Sequence, residues 1–251
     1  RGKPMDLLGF IIIGVLVGAL VGVTGSSGVL IVVPGLTLLG YRFQTAVSSS
    51  LIVDLITTVS VVLTYFRYDN VRVRTGLLLG LGAVIGAQIG SRVAVMINPL
   101  PLEIGFTFFA AVMAVVSFLR SRSISFKRVE VRFARVLSFL LSVGVGILTG
   151  TIGTSGGIMF IAIMMAFYNY GVKEMIGTAT FSMFLSALSG VSGYVASGVY
   201  DLDASVVIGS TALIVGTVFA KVANRMKPST IYQILGSVFV ITCISEISKI
   251  F

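Results

Sequence analysis

The chain has 251 residues, of which 56% are hydrophobic and only 11% are charged, and it carries a net charge of +9. Soluble domains contain about 25% charged residues, so this composition excludes an ordinary soluble globular protein. Apolar runs of about 18 residues or more recur along the sequence, and each is long enough to cross a bilayer core of about 30 Å. The sequence therefore predicts an all-α polytopic membrane protein, and we interpret the positive charge as loop charge that sets membrane orientation.

The residue types that the sequence lacks exclude several kinds of functional site. There is no histidine, and the single cysteine, Cys243, lies inside an apolar run. A metal or haem site built on cysteine and histidine is therefore excluded, as is nucleophilic catalysis that needs a histidine base. No phosphate loop of the GxxxxGK[ST] type is present. We predict no cofactor, no metal, no nucleic-acid partner and no enzymatic activity.

Each half of the chain contains five predicted membrane segments, of which the second is short. In chain order they are 5–22, 28–39, 44–66, 75–97 and 101–119, then 136–151, 156–168, 174–197, 204–224 and 229–249. The segments 28–39 and 156–168 reach only about 20 Å as helices, which is too short to cross the membrane comfortably. Each half of the chain thus has a hairpin ending in a short helix and three further spans, which gives about 8–10 membrane segments. Arg1 to Pro4 lead directly into the first span, so we expect no removable signal peptide.

Two glycine-rich breaks indicate an internal duplication. The stretch "GVTGSSG" at 22–28 is matched by "GTIGTSGG" at 150–157, and each stands directly before a short segment. Tyr65 corresponds to Tyr194 in the same comparison. The spacing Gly86-xxx-Gly90 corresponds to Gly216-xxx-Ala220, and we assign both spacings to helix packing. We predict a first membrane repeat at 1–119, a basic linker at 120–135 and a second membrane repeat at 136–251.

The distribution of basic residues predicts the orientation. Most of the 18 lysines and arginines fall on the side of the linker 120–135. Cytoplasmic loops are enriched in these residues, so we expect a cytoplasmic linker and both termini outside. The hairpins either cross fully or are re-entrant, and in both cases they add no net crossing. Each half then has three full spans, so the repeats must have inverted topology. Inverted repeats are typical of secondary transporters.

The two breaks have the composition of an anion-binding site. A helix N-terminus offers free N–H donors and about half a positive charge, while serine and threonine add hydroxyl donors. Glycine in a membrane helix is also used for close packing alone, and this remains the alternative interpretation. The candidate substrate-binding residues are Gly25, Ser26, Ser27, Gly28, Ser49, Ser50, Gly153, Thr154, Ser155, Gly156, Thr178 and Thr180.

Asp54 lies near the middle of the segment 44–66. A carboxylate at this depth costs at least about 2.5–3.5 kcal/mol on insertion scales. One interpretation is a coupling site for H⁺ or Na⁺. The other is a protonated or hydrogen-bonded packing residue, or part of a cavity wall.

The sequence resembles the sulfite exporter TauE/SafE family, also called the toluene sulfonate uptake permeases. The glycine-rich start with "GYRFQTAVSSSL" is similar to the first half of its signature, and "GTSGG" with "GVKEMIGTATF" is similar to the second. "YFRYDNV" resembles its short polar loop. The chain departs from the family pattern at Ser49-Ser50, where Thr-Ser is usual, and at Thr180-Phe181. The resemblance implies transport of small sulfur-containing anions such as sulfite, thiosulfate or sulfonates.

These observations together predict a secondary transporter in the cell membrane. We expect it to move a sulfonate such as sulfoacetate, or sulfite or thiosulfate, by alternating access, with coupling to H⁺ or Na⁺. An anion channel is the first alternative, because a channel constriction uses the same helix dipoles and hydroxyls. A transporter of a non-sulfur carboxylate is the second. The sequence leaves the direction of transport and the oligomeric state open.

Overall fold

The computed structural model describes residues 7–121 and 133–250, and the regular elements in these ranges are all α-helices. Most of the predicted linker 120–135 lies outside the described residues. The helices are α1 (Leu7–Thr24), α2 (Val29–Leu38), α3 (Phe43–Arg67), α4 (Val73–Met96), α5 (Pro99–Ser121), α6 (Ala134–Ile152), α7 (Gly157–Phe167), α8 (Val172–Ala196), α9 (Leu202–Ala223) and α10 (Pro228–Ile250).

Each predicted membrane segment coincides with one helix. Seven of the helices in the described ranges are long and apolar enough to cross a membrane, namely α1, α3, α4, α5, α6, α8 and α9. The two predicted short segments are short helices, α2 and α7. The prediction of a helical, multi-pass membrane protein is therefore confirmed.

The short helices fold back along the helices that precede them. A Cβ added at Gly35 of α2 would lie 2.8 Å from Ile13 of α1, and one added at Gly28 would lie 2.7 Å from Val17. Residue numbers rise along α2 as they fall along α1, so the two helices are antiparallel. Likewise, Gly156 lies against Val145 of α6.

Glycine closes the first helix of each hairpin. Gly25 and Gly153 have φ angles of 61° and 76°, in the left-handed region that favours glycine. The Gly25 N–H donates to the Val21 carbonyl at 2.9 Å, and the Gly153 N–H donates to the Thr149 carbonyl at 3.0 Å. Both bonds satisfy carbonyls at a helix C-terminus, so the two breaks begin with the same turn.

Small residues allow two pairs of helices to pack at close range. On α1, a Cβ added at Gly18 would lie 2.6 Å from the Ala212 carbonyl oxygen of α9. On α4, added Cβ atoms at Gly86 and Gly90 would overlap the α6 backbone. The packing role predicted for Gly86 and Gly90 is therefore confirmed. Because the contacts advance in step along both partners, α1 runs parallel to α9 and α4 runs parallel to α6.

The loops gather at two ends of the helix bundle. At the end that we name the linker end, the loop after α3 meets the end of α9, since the Asn70 side-chain amide donates to Asn224 Oδ1 at 3.0 Å. Ser229 at the start of α10 donates to the Ser121 carbonyl at the end of α5, at 3.0 Å. The loops after α2, α4 and α8 lie at the opposite end.

Candidate functional site

The two glycine-rich breaks meet at one carboxylate. Asp54 Oδ2 accepts hydrogen bonds from the Ser27 hydroxyl, at 2.5 Å, and from the Ser155 hydroxyl. Its other oxygen, Oδ1, accepts from the backbone N–H of Gly28 at 2.7 Å. Ser27 and Gly28 belong to the first break and Ser155 belongs to the second. The acidic side chain therefore bridges both halves of the protein.

Local structure explains how the three elements hold Asp54. Gly28 is the residue before α2, so its N–H points out of the start of that helix, where a negative charge is favoured. Ser27 Oγ also accepts from the Val29 N–H at 3.2 Å, which fixes the hydroxyl beside the helix start. In the second break, the Ser155 carbonyl accepts a hydrogen bond from Ser186 Oγ of α8 at 3.1 Å.

The site is closed to solvent in this conformation. The exposed fractions of Asp54 and Ser155 are 0%, and that of Ser27 is 3%. The breaks also touch each other directly, because a Cβ added at Gly157 would overlap the carbonyl of Gly25. Among residues 7–121 and 133–250, no lysine or arginine forms an ion pair with Asp54. Hydrogen-bond donors alone compensate the buried carboxylate.

The helices that follow each hairpin contact the break of the other half. Ser50 of α3 donates to the Gly153 carbonyl of the second break at 3.3 Å. Thr180 of α8 lies beside the first break, where its Oγ1 would be 3.1 Å from a Cβ added at Gly25. This crosswise arrangement brings Ser50 and Thr180 to the same centre as Asp54.

The remaining predicted site residues have other environments. Gly156 has a φ of 83° and caps the start of α7. Thr154 lies between the two left-handed glycines, and its carbonyl accepts from the Thr149 hydroxyl at 2.8 Å. The Ser26 N–H donates to Thr24 Oγ1 at 3.1 Å. Ser49 is fully buried, and its hydroxyl has no hydrogen-bond partner within the described ranges.

Thr178 lies apart from the breaks. Its Oγ1 accepts from the backbone N–H of Arg72 at 2.9 Å, which places Thr178 beside the loop between α3 and α4 at the linker end. Ser186 supports the second break through Ser155 and was not among the predicted site residues. One serine within an apolar helix carries no signal that separates this role from ordinary backbone bonding.

Comparison with known proteins identifies the family. The family model described as "Sulfite exporter TauE/SafE" matches residues 10–245, which is nearly the whole chain. The chain belongs to this family. The TauE/SafE chain is therefore a membrane transporter rather than an enzyme, and the family description implies a small anion as its substrate.

Curated relatives of this TauE/SafE chain agree with that assignment. The Bacillus subtilis (strain 168) "Probable membrane transporter protein YunE" is 24% identical and covers 94% of this chain and 96% of its own length. "Probable membrane transporter protein YdhB" of the same organism is 26% identical over 76% of this chain and 80% of its own. "Probable membrane transporter protein YjnA" is 23% identical over 92% and 96%. No solved structure matches this chain.

Proposed function

We propose that this protein is a proton-coupled secondary transporter of a small sulfur oxyanion or sulfonate in the cell membrane, working by alternating access. One observation carries the proposal: Ser27, Gly28 and Ser155, which are donors from both breaks, converge on the single carboxylate of Asp54. The breaks provide the donors that an anionic substrate requires. In this structure Asp54 accepts hydrogen bonds from those donors.

A substrate anion and an ionised Asp54 compete for the same positions. Hydroxyls and backbone N–H groups that bind a carboxylate also bind a sulfonate or sulfite oxygen, because both are oxyanions. Two unit negative charges 4 Å apart repel by about 4 kcal/mol at an effective dielectric constant of about 20. This repulsion weakens binding about a thousandfold. The anion therefore binds only when Asp54 is neutral.

Proton coupling follows from this competition. A proton on Asp54 removes the repulsion and releases the hydroxyls of Ser27 and Ser155 to the substrate. The loaded carrier then moves one anion and one proton together. The carrier then returns with Asp54 ionised, and the same three donors hold the carboxylate.

The donor set favours a proton over Na⁺ as the coupling ion. The Gly28 N–H that faces Asp54 Oδ1 can donate but cannot act as a metal ligand. A sodium ion bound there would face this N–H and the positive end of the α2 dipole. A proton on the carboxyl group needs no ligand cage.

Two inverted repeats would provide the alternating access. The helix contacts support this part of the proposal, because α1 packs along α9 as α6 packs along α4. Matched tyrosines add a second correspondence. Tyr194 Oη donates to the Gly150 carbonyl at 2.8 Å, and Tyr65 Oη donates to the Gly22 carbonyl at 3.5 Å. Rocking one repeat against the other would open the breaks first to one side and then to the other.

The orientation rests on charge. Arg67, Arg225 and Lys227 lie at the linker end, where α5 ends and α6 begins, and in the sequence the basic linker 120–135 joins those two helices. The positive-inside rule then assigns the linker end to the cytoplasm and both termini to the outside. The sulfur chemistry of the substrate rests on the family description. The proposed substrate ligands are the donors at the breaks, together with Ser49, Ser50 and Thr180.

The test is transport by purified protein in liposomes, with sulfite and sulfoacetate as probes. A pH gradient should drive accumulation by the unmodified protein, and the rate should saturate with anion concentration. Asp54→Asn should lose accumulation driven by the pH gradient but keep exchange of anion for anion, because the side chain is then always neutral. Asp203→Asn, at an exposed acid of α9, is the matched control and should leave accumulation unchanged.

Three results would contradict the proposal. Full pH-driven accumulation by Asp54→Asn would remove Asp54 from coupling. Accumulation that follows a Na⁺ gradient alone would replace the proton with sodium. Flux that does not saturate and follows only the anion gradient would favour the channel.

A further inference from the structure

A cavity with two arginines in its lining lies at the linker end, away from Asp54. A cavity of about 380 Å³ is lined by Arg74, Thr75 and Leu78 of α4, by Arg135 of α6, and by Tyr168 and Tyr170 of the loop between α7 and α8. We name it the arginine cavity. We propose that the arginine cavity binds a small oxyanion group, such as a sulfonate or sulfate, between Arg74 and Arg135.

The aromatic wall of this cavity is held in place by several contacts. The rings of Tyr168 and Tyr170 stack with centroids 5.5 Å apart, and the Tyr170 and Thr75 hydroxyls are joined at 2.8 Å. The Arg72 guanidinium lies over the Tyr170 ring, 6.0 Å from its centroid. Such a wall presents hydroxyls at fixed positions, which lowers the entropic cost of binding.

The acidic group nearest to this wall is already paired. Glu174 forms an ion pair with Arg72 and also accepts from the Gly171 N–H at 2.9 Å. Arg74 and Arg135 have no ion-pair partner in residues 7–121 and 133–250. The cavity therefore contains two guanidinium groups whose charges no described carboxylate offsets. Arginine forms two parallel hydrogen bonds to an oxyanion, which suits it to this ligand.

Both arginines lie at the end of a helix where a positive charge is unfavourable. Arg74 and Arg135 both lie in the first turn of their helices, α4 and α6. Cations at a helix N-terminus are unfavourable, because that end of the dipole is already positive. The dipoles and the guanidinium groups thus add to one positive potential at the cavity. An anion bound between them relieves this local repulsion.

At the opposite end of the bundle, two acidic residues stand at the start of α9. Asp201 caps the start of α9 and Asp203 lies in its first turn; burial, and to a lesser extent the charges of these two aspartates, raise the pKa of the Tyr41 hydroxyl in the loop after α2. The positive potential of the arginine cavity thus attracts an anion to the linker end. The arginine cavity deepens the proposed function, on which this step rests, by giving the transporter a cytoplasmic capture site for its anion.

The test separates the arginine cavity from the general surface charge. Methanesulfonate and inorganic sulfate are titrated calorimetrically into lipid-depleted protein in neutral detergent. The double variant Arg74→Gln/Arg135→Gln should weaken binding at least about tenfold, which corresponds to about 1.4 kcal/mol. The matched control is Arg67→Gln/Arg225→Gln, which removes the same charge from exposed residues at the same end and should leave binding unchanged. Equal losses in both double variants, or no loss in the first, would overturn the proposal.

Two further arms identify the source of the anion and keep this proposal separate from the central site. In phosphatidylcholine nanodiscs the cavity should bind methanesulfonate. Competition by added phosphatidylglycerol, lost in Arg74→Gln/Arg135→Gln, would assign the cavity to a lipid headgroup. Binding should persist in Ser27→Ala/Ser155→Ala, whose central site is altered. If the unmodified protein transports no sulfur anion but cavity binding remains, the transport proposal fails and the cavity stands.

Discussion

The hydroxyls of Ser27 and Ser155 donate to the same atom, Oδ2 of Asp54, although the two serines belong to different halves of the chain. Each serine lies two residues after the left-handed glycine that ends its preceding helix. The carboxylate comes from α3 alone, so the site has two matched donors and a single acceptor. A change in the charge of Asp54 is therefore felt by both breaks at once, which is what a coupled rearrangement of two halves requires.

Removing either serine hydroxyl should impair the protein by a similar amount. Ser27→Ala and Ser155→Ala each leave the buried carboxylate with one donor fewer, which costs about 1–3 kcal/mol of stability. Both variants should also slow proton-driven sulfite transport. Denaturant unfolding and initial transport rates measure the two effects.

Ser117→Ala is the matched control for these variants. Ser117 is also fully buried, but its hydroxyl donates only to the Met113 carbonyl of its own helix, at 2.7 Å. It should change stability little and transport not at all. A transport defect confined to Ser27→Ala or to Ser155→Ala would contradict a carboxylate shared by both halves.

The first break should not tolerate a side chain at Gly25. An alanine there adopts an unfavourable φ of 61°, and its Cβ lies 2.6 Å from Ile176 Cγ2. Gly198 has a similar φ of 68° but nothing within 4 Å of an added Cβ, so Gly198→Ala isolates the backbone strain. Gly198→Ala should cost about 1–2 kcal/mol and keep transport. Gly25→Ala should cost more and abolish transport, and equal behaviour of the two variants would exclude a steric requirement at the break.

The class of fold could be predicted because its signals are local. Apolar length identifies the spans, and a glycine-rich break before a short apolar run identifies each hairpin. The meeting of Asp54 with both breaks could not be predicted, since it depends on how α3 passes between the hairpins. The sequence showed a carboxylate at mid-membrane and left open whether it was a coupling residue or a packing residue.

Helix geometry explains why Thr178 and Thr180 of α8, which are both predicted site residues, have different surroundings. Thr178 and Thr180 are two residues apart, which separates them by about 200° around a helix. They therefore face different surroundings: Thr180 lies beside Gly25, and Thr178 accepts from the Arg72 backbone at 2.9 Å. The spacing alone could have separated these two residues, but it could not show which of them faces the break.

The paired tyrosines should differ in their contribution to stability. Tyr194 and Tyr65 are both 1% exposed, but the Tyr194 hydroxyl donates to the Gly150 carbonyl at 2.8 Å and the Tyr65 hydroxyl to the Gly22 carbonyl at 3.5 Å. The longer distance is at the limit for a hydrogen bond. Tyr194→Phe should therefore lower the free energy of unfolding by about 1 kcal/mol, and Tyr65→Phe by less. Denaturant titration of both variants checks this order, and a larger loss for Tyr65→Phe would contradict it.

Cysteine labelling from one side of the membrane should reveal whether the repeats are inverted. Cys243→Ser provides a background without the native thiol, and Arg42→Cys and Asn169→Cys then mark the exposed loops that follow the two short helices. In inverted repeats these loops face opposite sides, so an impermeant maleimide applied outside intact cells should label position 42 and not position 169. Permeabilised cells, in which both should react, control for reactivity. Labelling of both positions from outside would mean that the halves share one orientation, and the proposed inverted repeats would then be ruled out.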